Sequence, residues 1–144
     1  MEPESRRAET TAIALIALLA LGAIDWFGLR ADPKVTALNL AIENNASPAL
    51  LDYPYQFKVL RLEGAVAVMS TPRSPALPVY RMIGALYPSL AGKSPDNPDF
   101  VAAEKELAQV QSEAKKIVLE QPGVTGTTWE LDRDWLIGKN ISLN

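Results

Sequence analysis

The chain has 144 residues, no cysteine and no histidine, and 14 Lys+Arg against 17 Asp+Glu for a net charge of −3. That length fits one domain of ordinary size. The missing residue types exclude disulfides, thiolate and imidazole metal sites, Ser-His-Asp hydrolysis and cysteine nucleophiles, and the charge gives no general pull toward nucleic acid.

Thr10 to Ile24, TTAIALIALLALGAI, carries no charge, and the apolar stretch continues through Asp25, Trp26 and Phe27 to Leu29. A helix over residues 10–29 is about 30 Å long at about 1.5 Å per residue, the thickness of a bilayer core. The pattern predicts a cytoplasmic tail over 1–9, a single transmembrane helix over 10–29 and an extracytoplasmic domain over 30–144. Trp26 and Phe27 suit the headgroup boundary, and Asp25 there reaches water. A proton-relay role for Asp25 is the weaker alternative. Ala14, Ala17 and Ala20 recur at a spacing of three, which lets a second helix approach closely. They are candidate contacts to integral membrane subunits.

A cleaved signal peptide is the main rival reading of this segment. Arg6 and Arg7 precede the apolar run, but Glu2, Glu4 and Glu9 offset them, and Ala20-Leu21-Gly22 is a poor cleavage site. A buried helix of a globular domain is the other rival. The basic pair and the short tail favour an N-in orientation in a bacterial inner membrane, with the domain in the periplasm.

Asp32-Pro33 reads as an N-cap followed by proline at the first helical position. Val35, Leu38 and Ile42 form a stripe after it, and Asn44-Asn45 ends the helix. Ser47 to Pro54 reads as a connector. Residues 55–70, YQFKVLRLEGAVAVMS, read as a β-hairpin turning at Glu63-Gly64. Phe57, Val59 and Arg61 are expected on one face of its first strand, and Lys58, Leu60 and Leu62 on the other. Thr71 to Pro78 holds three prolines and reads as a stiff surface loop. Val79 to Leu86 is a short helix stopped by Pro88, and Ser89 to Pro98 is a second polar loop.

Asn97-Pro98 repeats the cap-plus-proline signal and opens the longest helix of the domain. Phe100, Ala103, Leu107, Val110, Ala114 and Ile117 form its apolar stripe. Gln121-Pro122-Gly123 stops it. Val124 to Leu131 is a third strand, with Val124, Thr128 and Trp129 as its inward residues. Trp135, Leu136 and Ile137 give the tail an apolar cluster. These elements predict an α+β fold: a single transmembrane helix, then a small two-layer sandwich in α-β-β-α-α-β order, its three-stranded sheet carrying helices on one face.

The hairpin Leu62-Glu63-Gly64-Ala65-Val66-Ala67-Val68 and the helix running into Gln121-Pro122-Gly123-Val124 resemble the BON domain, a small αββαβ module of bacterial envelope proteins. The resemblance covers roughly residues 34–131. The sequence departs from the family in lacking a clear V-x-L-x-G pattern after the hairpin glycine, and in the insertion from Thr71 to Pro98. The resemblance implies an envelope-associated domain that binds lipid or protein without catalysing a reaction.

The densest polar cluster is Glu130, Asp132, Arg133 and Asp134, within WELDRDW. A calcium loop needs more oxygen ligands and a turn glycine. The cluster reads as a charged strand end, and Trp129, Arg133 and Trp135 as candidate partner contacts, since Trp and Arg are favoured there. Thr71, Arg73 and Ser74 read as a solvated loop, with phosphate binding as the alternative. No catalytic, metal-binding or cofactor-binding residue is assigned. The expected function is a non-catalytic single-span accessory subunit of a larger inner-membrane complex, with respiratory or photosynthetic electron transfer as a setting. Its partners are integral membrane subunits and membrane lipid, with no nucleic acid and no small-molecule substrate. The alternative is a free-standing anchored envelope module. An enzyme working with Asp, Glu, Lys, Ser or Tyr alone is the least supported reading.

Overall fold

Two N-cap-plus-proline signals start helices where the sequence places them. Helix α1 spans Pro33–Asn45 and buries Leu38, Ala41 and Ile42, leaving Leu40 exposed. Helix α4 spans Pro98–Leu119. The Asn97 side chain accepts from the Asp99 N–H at 2.9 Å, which satisfies one of the four donors a helix start leaves open. All six expected stripe residues of α4 are buried, and Val118 joins them.

The computed structural model describes residues 32–143. The chain divides into two units, Met1–Pro33 and Lys34–Asn144. The expected transmembrane helix over 10–29, with Ala14, Ala17, Ala20, Asp25, Trp26 and Phe27, lies outside the described residues. Among the described residues, no helix is long and apolar enough to cross a membrane.

The domain is a small α+β unit around a three-stranded mixed sheet. Strands β1 (Val59–Glu63) and β2 (Val66–Thr71) pair antiparallel, and β3 (Gly126–Leu131) pairs parallel to β2, giving the order β1-β2-β3. Between β2 and α4 run α3 (Val79–Leu86) and a 3-10 turn, Pro88–Leu90. Helix α4 is the long crossover that a parallel pair requires. Its stripe packs with Val59, Ala67 and Met69 in one core.

Several local expectations are corrected. The hairpin turns at Gly64-Ala65, one residue later than expected, because Glu63 still pairs with Val66. Gly64 takes φ 63°, which an L side chain rarely adopts. Strand β1 does not alternate simply. Its register slips between Val59 and Arg61, so Leu60 is an extra, bulged residue. The bulge reverses the phase: Phe57, Val59 and then Leu62 face the core, while Arg61 and Glu63 face solvent. This resolves the mixed polarity of both faces in the sequence. On β3, Thr128 is exposed on the open face, and Thr127, Trp129 and Leu131 point inward.

The connector Ser47 to Pro54 holds a one-turn helix, α2 (Pro48–Leu51). Glu113 on α4 accepts the Ser47 N–H at 2.6 Å and its hydroxyl at 2.8 Å, which holds that turn against the long helix. The loop after α3 is not wholly polar either, since Leu90 of the 3-10 turn is buried. The tail forms α5 (Arg133–Gly138), with Leu136 buried and Ile137 70% exposed, so only part of its apolar cluster packs inward.

The outer edge of β1 is closed by a side chain. The Val59 N–H donates to Asn39 Oδ1 at 2.7 Å, and the Asn39 amide donates to the Val59 carbonyl at 3.0 Å. The amide of α1 thus stands in for a neighbouring strand. Asn39→Ala leaves both backbone groups without that partner and is expected to lower stability by about 1–3 kcal/mol. Leu40→Ala, one residue along on the exposed side, is expected to shift the urea midpoint little. Equal losses in the two variants would remove the edge-closing role.

Candidate binding cleft

Strand β2 ends at Thr71, and the chain enters the proline-rich loop. Prolines cannot donate, so the loop holds itself with few bonds. The Thr71 hydroxyl accepts from the Arg73 N–H at 3.1 Å, the Ser74 hydroxyl from the Ala76 N–H at 3.2 Å, and the Ser74 carbonyl from the Leu77 N–H at 3.0 Å. Buried Leu77 pins it to the core. Between this loop, α3, α4 and β3 lies a cleft of ≈ 480 Å³. That volume is in the range of small binding sites. Leu77, Val79, Met82 and Trp129 supply apolar wall; Thr71, Arg73 and Gln111 supply polar groups. A second hollow of ≈ 370 Å³ shares Arg73, Val79 and Met82 and continues along α4 past Val101 and Lys105.

Two polar side chains that line the cleft carry groups without partners among the described residues. Arg73 is exposed and has no ion-pair partner among the described residues. Gln111 Oε1 is buried without a hydrogen-bond donor, and so is Thr127 Oγ1 on the inward side of β3. A buried acceptor left unpaired costs about 1–3 kcal/mol.

The candidate contact residues separate. Trp129 is half-buried; it lines the cleft and meets Phe57 edge-on at 6.0 Å between ring centroids. Trp135 packs edge-on against Tyr55 at 5.3 Å, and Lys139 Nζ lies 5.7 Å from its ring centre. Tyr55 and Phe57 meet at 4.9 Å, so the two tryptophans end one aromatic row. Arg133 is exposed at the start of α5 and does not line the cleft.

The carboxylates of WELDRDW also diverge. Glu130 pairs with Arg61 at 2.7 Å across the open face of the sheet. Asp132 accepts the Trp135 N–H at 3.0 Å, capping α5, and the Tyr55 hydroxyl at 3.0 Å. Asp134 is exposed in the first turn of α5. Among the described residues, no group of three acidic side chains is placed to hold a metal ion.

No family model matches the chain, and neither a curated protein nor a solved structure matches it. The reading of the cleft therefore rests on its own chemistry. Sequence reasoning passed over Gln111 because it sits on the shoulder of the α4 stripe, four residues after Leu107. That position is the available signal: a polar residue at a core-flanking spacing.

Elsewhere on α4, the Tyr87 hydroxyl donates to Glu106 Oε2 at 2.7 Å. Burial, and then this bond, pushes its pKa up to about 12 from 10.0. Burial also pushes Tyr53 and Tyr55 up. The folded state favours neutral Tyr87, so its stabilising contribution is complete below pH 10 and is lost as pH rises toward about 12. Tyr87→Phe is expected to flatten the decline of stability between those values, measured by urea unfolding at a series of pH values. An unchanged slope would exclude Tyr87 as a source of the decline.

Asp132 and Asp134 differ in a second measurable way. Asp132→Ala removes a helix cap and the Tyr55 partner and is expected to cost about 1–3 kcal/mol. Asp134→Ala is expected to change stability by less than about 0.5 kcal/mol. Similar thermal shifts in both variants would contradict the separate roles assigned here.

Proposed function

We propose that the protein is a non-catalytic, single-span accessory subunit of a larger inner-membrane complex, anchored by residues 10–29 and bracing its partners with the domain that follows. The observation that carries this is the position of α1. It begins at Pro33, so only residues 30–32 separate it from the end of the apolar segment at Leu29. Three residues reach at most about 10 Å fully extended. In this reading the spacer holds the domain against the membrane surface, where it meets neighbouring subunits. The polar clusters support binding over catalysis, since the WELDRDW carboxylates are spread over separate places in the fold. Respiratory or photosynthetic electron transfer is the proposed setting, the periplasm the proposed location of the domain, and N-in the proposed orientation.

A second reading is a free-standing, membrane-anchored BON-like module that binds lipid or another envelope protein. It is favoured by the order of the major elements and by two glycines. Gly64 in the hairpin and Gly123 after α4 take φ of 63° and 80°, at the two places where the resemblance lies.

Solubilisation in mild detergent separates the two. An accessory subunit is expected to migrate with larger membrane proteins that co-purify with it. Migration only as a small monomer would sink that reading. A cysteine replacing exposed Lys93 tests orientation in a chain that has no other cysteine. An impermeant thiol reagent is expected to label it in intact cells whose outer barrier has been removed. Labelling only after lysis would place the domain on the cytoplasmic side.

A further inference from the structure

The sheet protects its two edges unequally. Asn39 closes the edge of β1 at Val59. Strand β3 has no such cover: among the described residues, no backbone hydrogen bond ties residues 126–131 to anything beyond β2. The free groups can be assigned. The Asp132 N–H donates to the Thr71 carbonyl at 2.9 Å and continues the parallel ladder. Alternation along a strand then directs Thr128 and Glu130 to β2 as well. The N–H and C=O groups of Thr127, Trp129 and Leu131 therefore face the open edge.

That edge carries no proline and no lysine, the usual protections of an exposed strand. The cleft adjoins it, because Trp129 belongs to both. An open strand flanked by a side-chain pocket is the arrangement that accepts an added strand. Main-chain bonds give affinity there, and pockets for alternate side chains give selectivity.

We propose that β3 and the cleft form a docking groove for an extended peptide segment of a partner protein, with one acidic side chain meeting Arg73 and an apolar one seated against Trp129 and Met82. The proposal rests on the reading that this domain binds proteins. Charge complementarity selects the occupant. The charged groups around the two hollows are Arg73, Lys105 and Glu104, and Arg73 is the one common to both. The open edge of β3 offers alternating N–H and C=O groups; a peptide backbone pairs with both kinds, whereas a phosphate ion cannot continue the ladder. A second copy of this chain fits less well. The inward residues of its β3 are Thr127, Trp129 and Leu131, so it brings no acid to Arg73.

The test uses the full chain in detergent micelles. The probes are fluorescein-labelled heptapeptides of alternating threonine and valine, with a glutamate or a lysine scanned through every position. Binding is read by anisotropy, and the amides of Thr127, Trp129 and Leu131 by hydrogen exchange. Glutamate peptides are expected to bind at least tenfold more tightly than lysine peptides. Arg73→Gln is expected to erase that preference and Arg73→Glu to reverse it. Bound peptide is expected to slow exchange at the three amides, and N-methylation of alternate peptide amides to abolish binding.

Binding that survives N-methylation would overturn strand addition. A charge preference unmoved in both Arg73 variants would overturn the role of Arg73. Concentration-dependent protection of β3 without peptide would assign the edge to a second copy. Binding of inorganic phosphate in the cleft, with no peptide bound, would assign the cleft to anions. If no peptide binds while the chain still co-migrates with membrane partners, the groove fails and the accessory-subunit reading stands. If glutamate peptides bind but the chain migrates only as a monomer, the groove stands and that reading fails.

Discussion

One side of helix α4 is buried along its whole length, and the placement of the other elements follows from that contact. Phe100, Ala103, Leu107, Val110, Ala114, Ile117 and Val118 lie on this side. Alanines at two of these positions leave room for the sheet to come close. The helix packs on β2 and β3, and also on α2 and α3. Glu113 reaches from its flank to hold Ser47, the N-cap of α2, and Glu106 receives Tyr87 from the segment after α3. Removing a large side chain such as Leu107 from this row would cost about 2–5 kcal/mol, a large share of the stability of a small domain.

The face of the sheet turned away from α4 must present polar groups to water. Strand β1 meets that demand with the bulge at Leu60, which turns Leu62 inward and Arg61 outward. Arg61 then reaches Glu130 on β3 across the central strand, over buried Val68. Such exposed ion pairs contribute little stability, about 0–1 kcal/mol. Here the pair covers apolar surface that no helix reaches.

The cleft arises from the same economy of cover. The proline-rich loop supplies too few donors to form a strand beside β3, and α3 packs on α4 instead of on the strand edge. What remains is a gap with Trp129 on one wall and Gln111 on the other. The aromatic row behind it, from Trp129 through Phe57 and Tyr55 to Trp135, links this gap to the C-terminal helix α5. The cleft is therefore backed by packed side chains, and its tryptophan is held on one side.

Local chemistry made much of the domain legible. Asn97-Pro98 carries its cap oxygen and its fixed φ in adjacent residues, so the start of α4 is readable without any partner. The α4 stripe is readable because a helix repeats its buried face every three to four residues over 22 residues. The same logic located α1, α3 and the hairpin. It failed where one residue changes the phase of a strand. The extra residue at Leu60 and the inward turn of Thr127 rather than Thr128 depend on pairing register, which a single strand does not encode. The contact residues Trp129, Arg133 and Trp135 are neighbours in sequence, yet only Trp129 lines the cleft.

The sequence by itself therefore determined helices α1, α3 and α4, the hairpin, and the absence of histidine and cysteine chemistry. These follow from residue type and short-range spacing. Only the tertiary structure decided that Arg73, Gln111 and Trp129 share a cleft, that Asp132 serves a helix end, and that one sheet edge is closed while the other is open. Those outcomes depend on which distant segments pack together, and the crossover through α4 brings β3 beside β2.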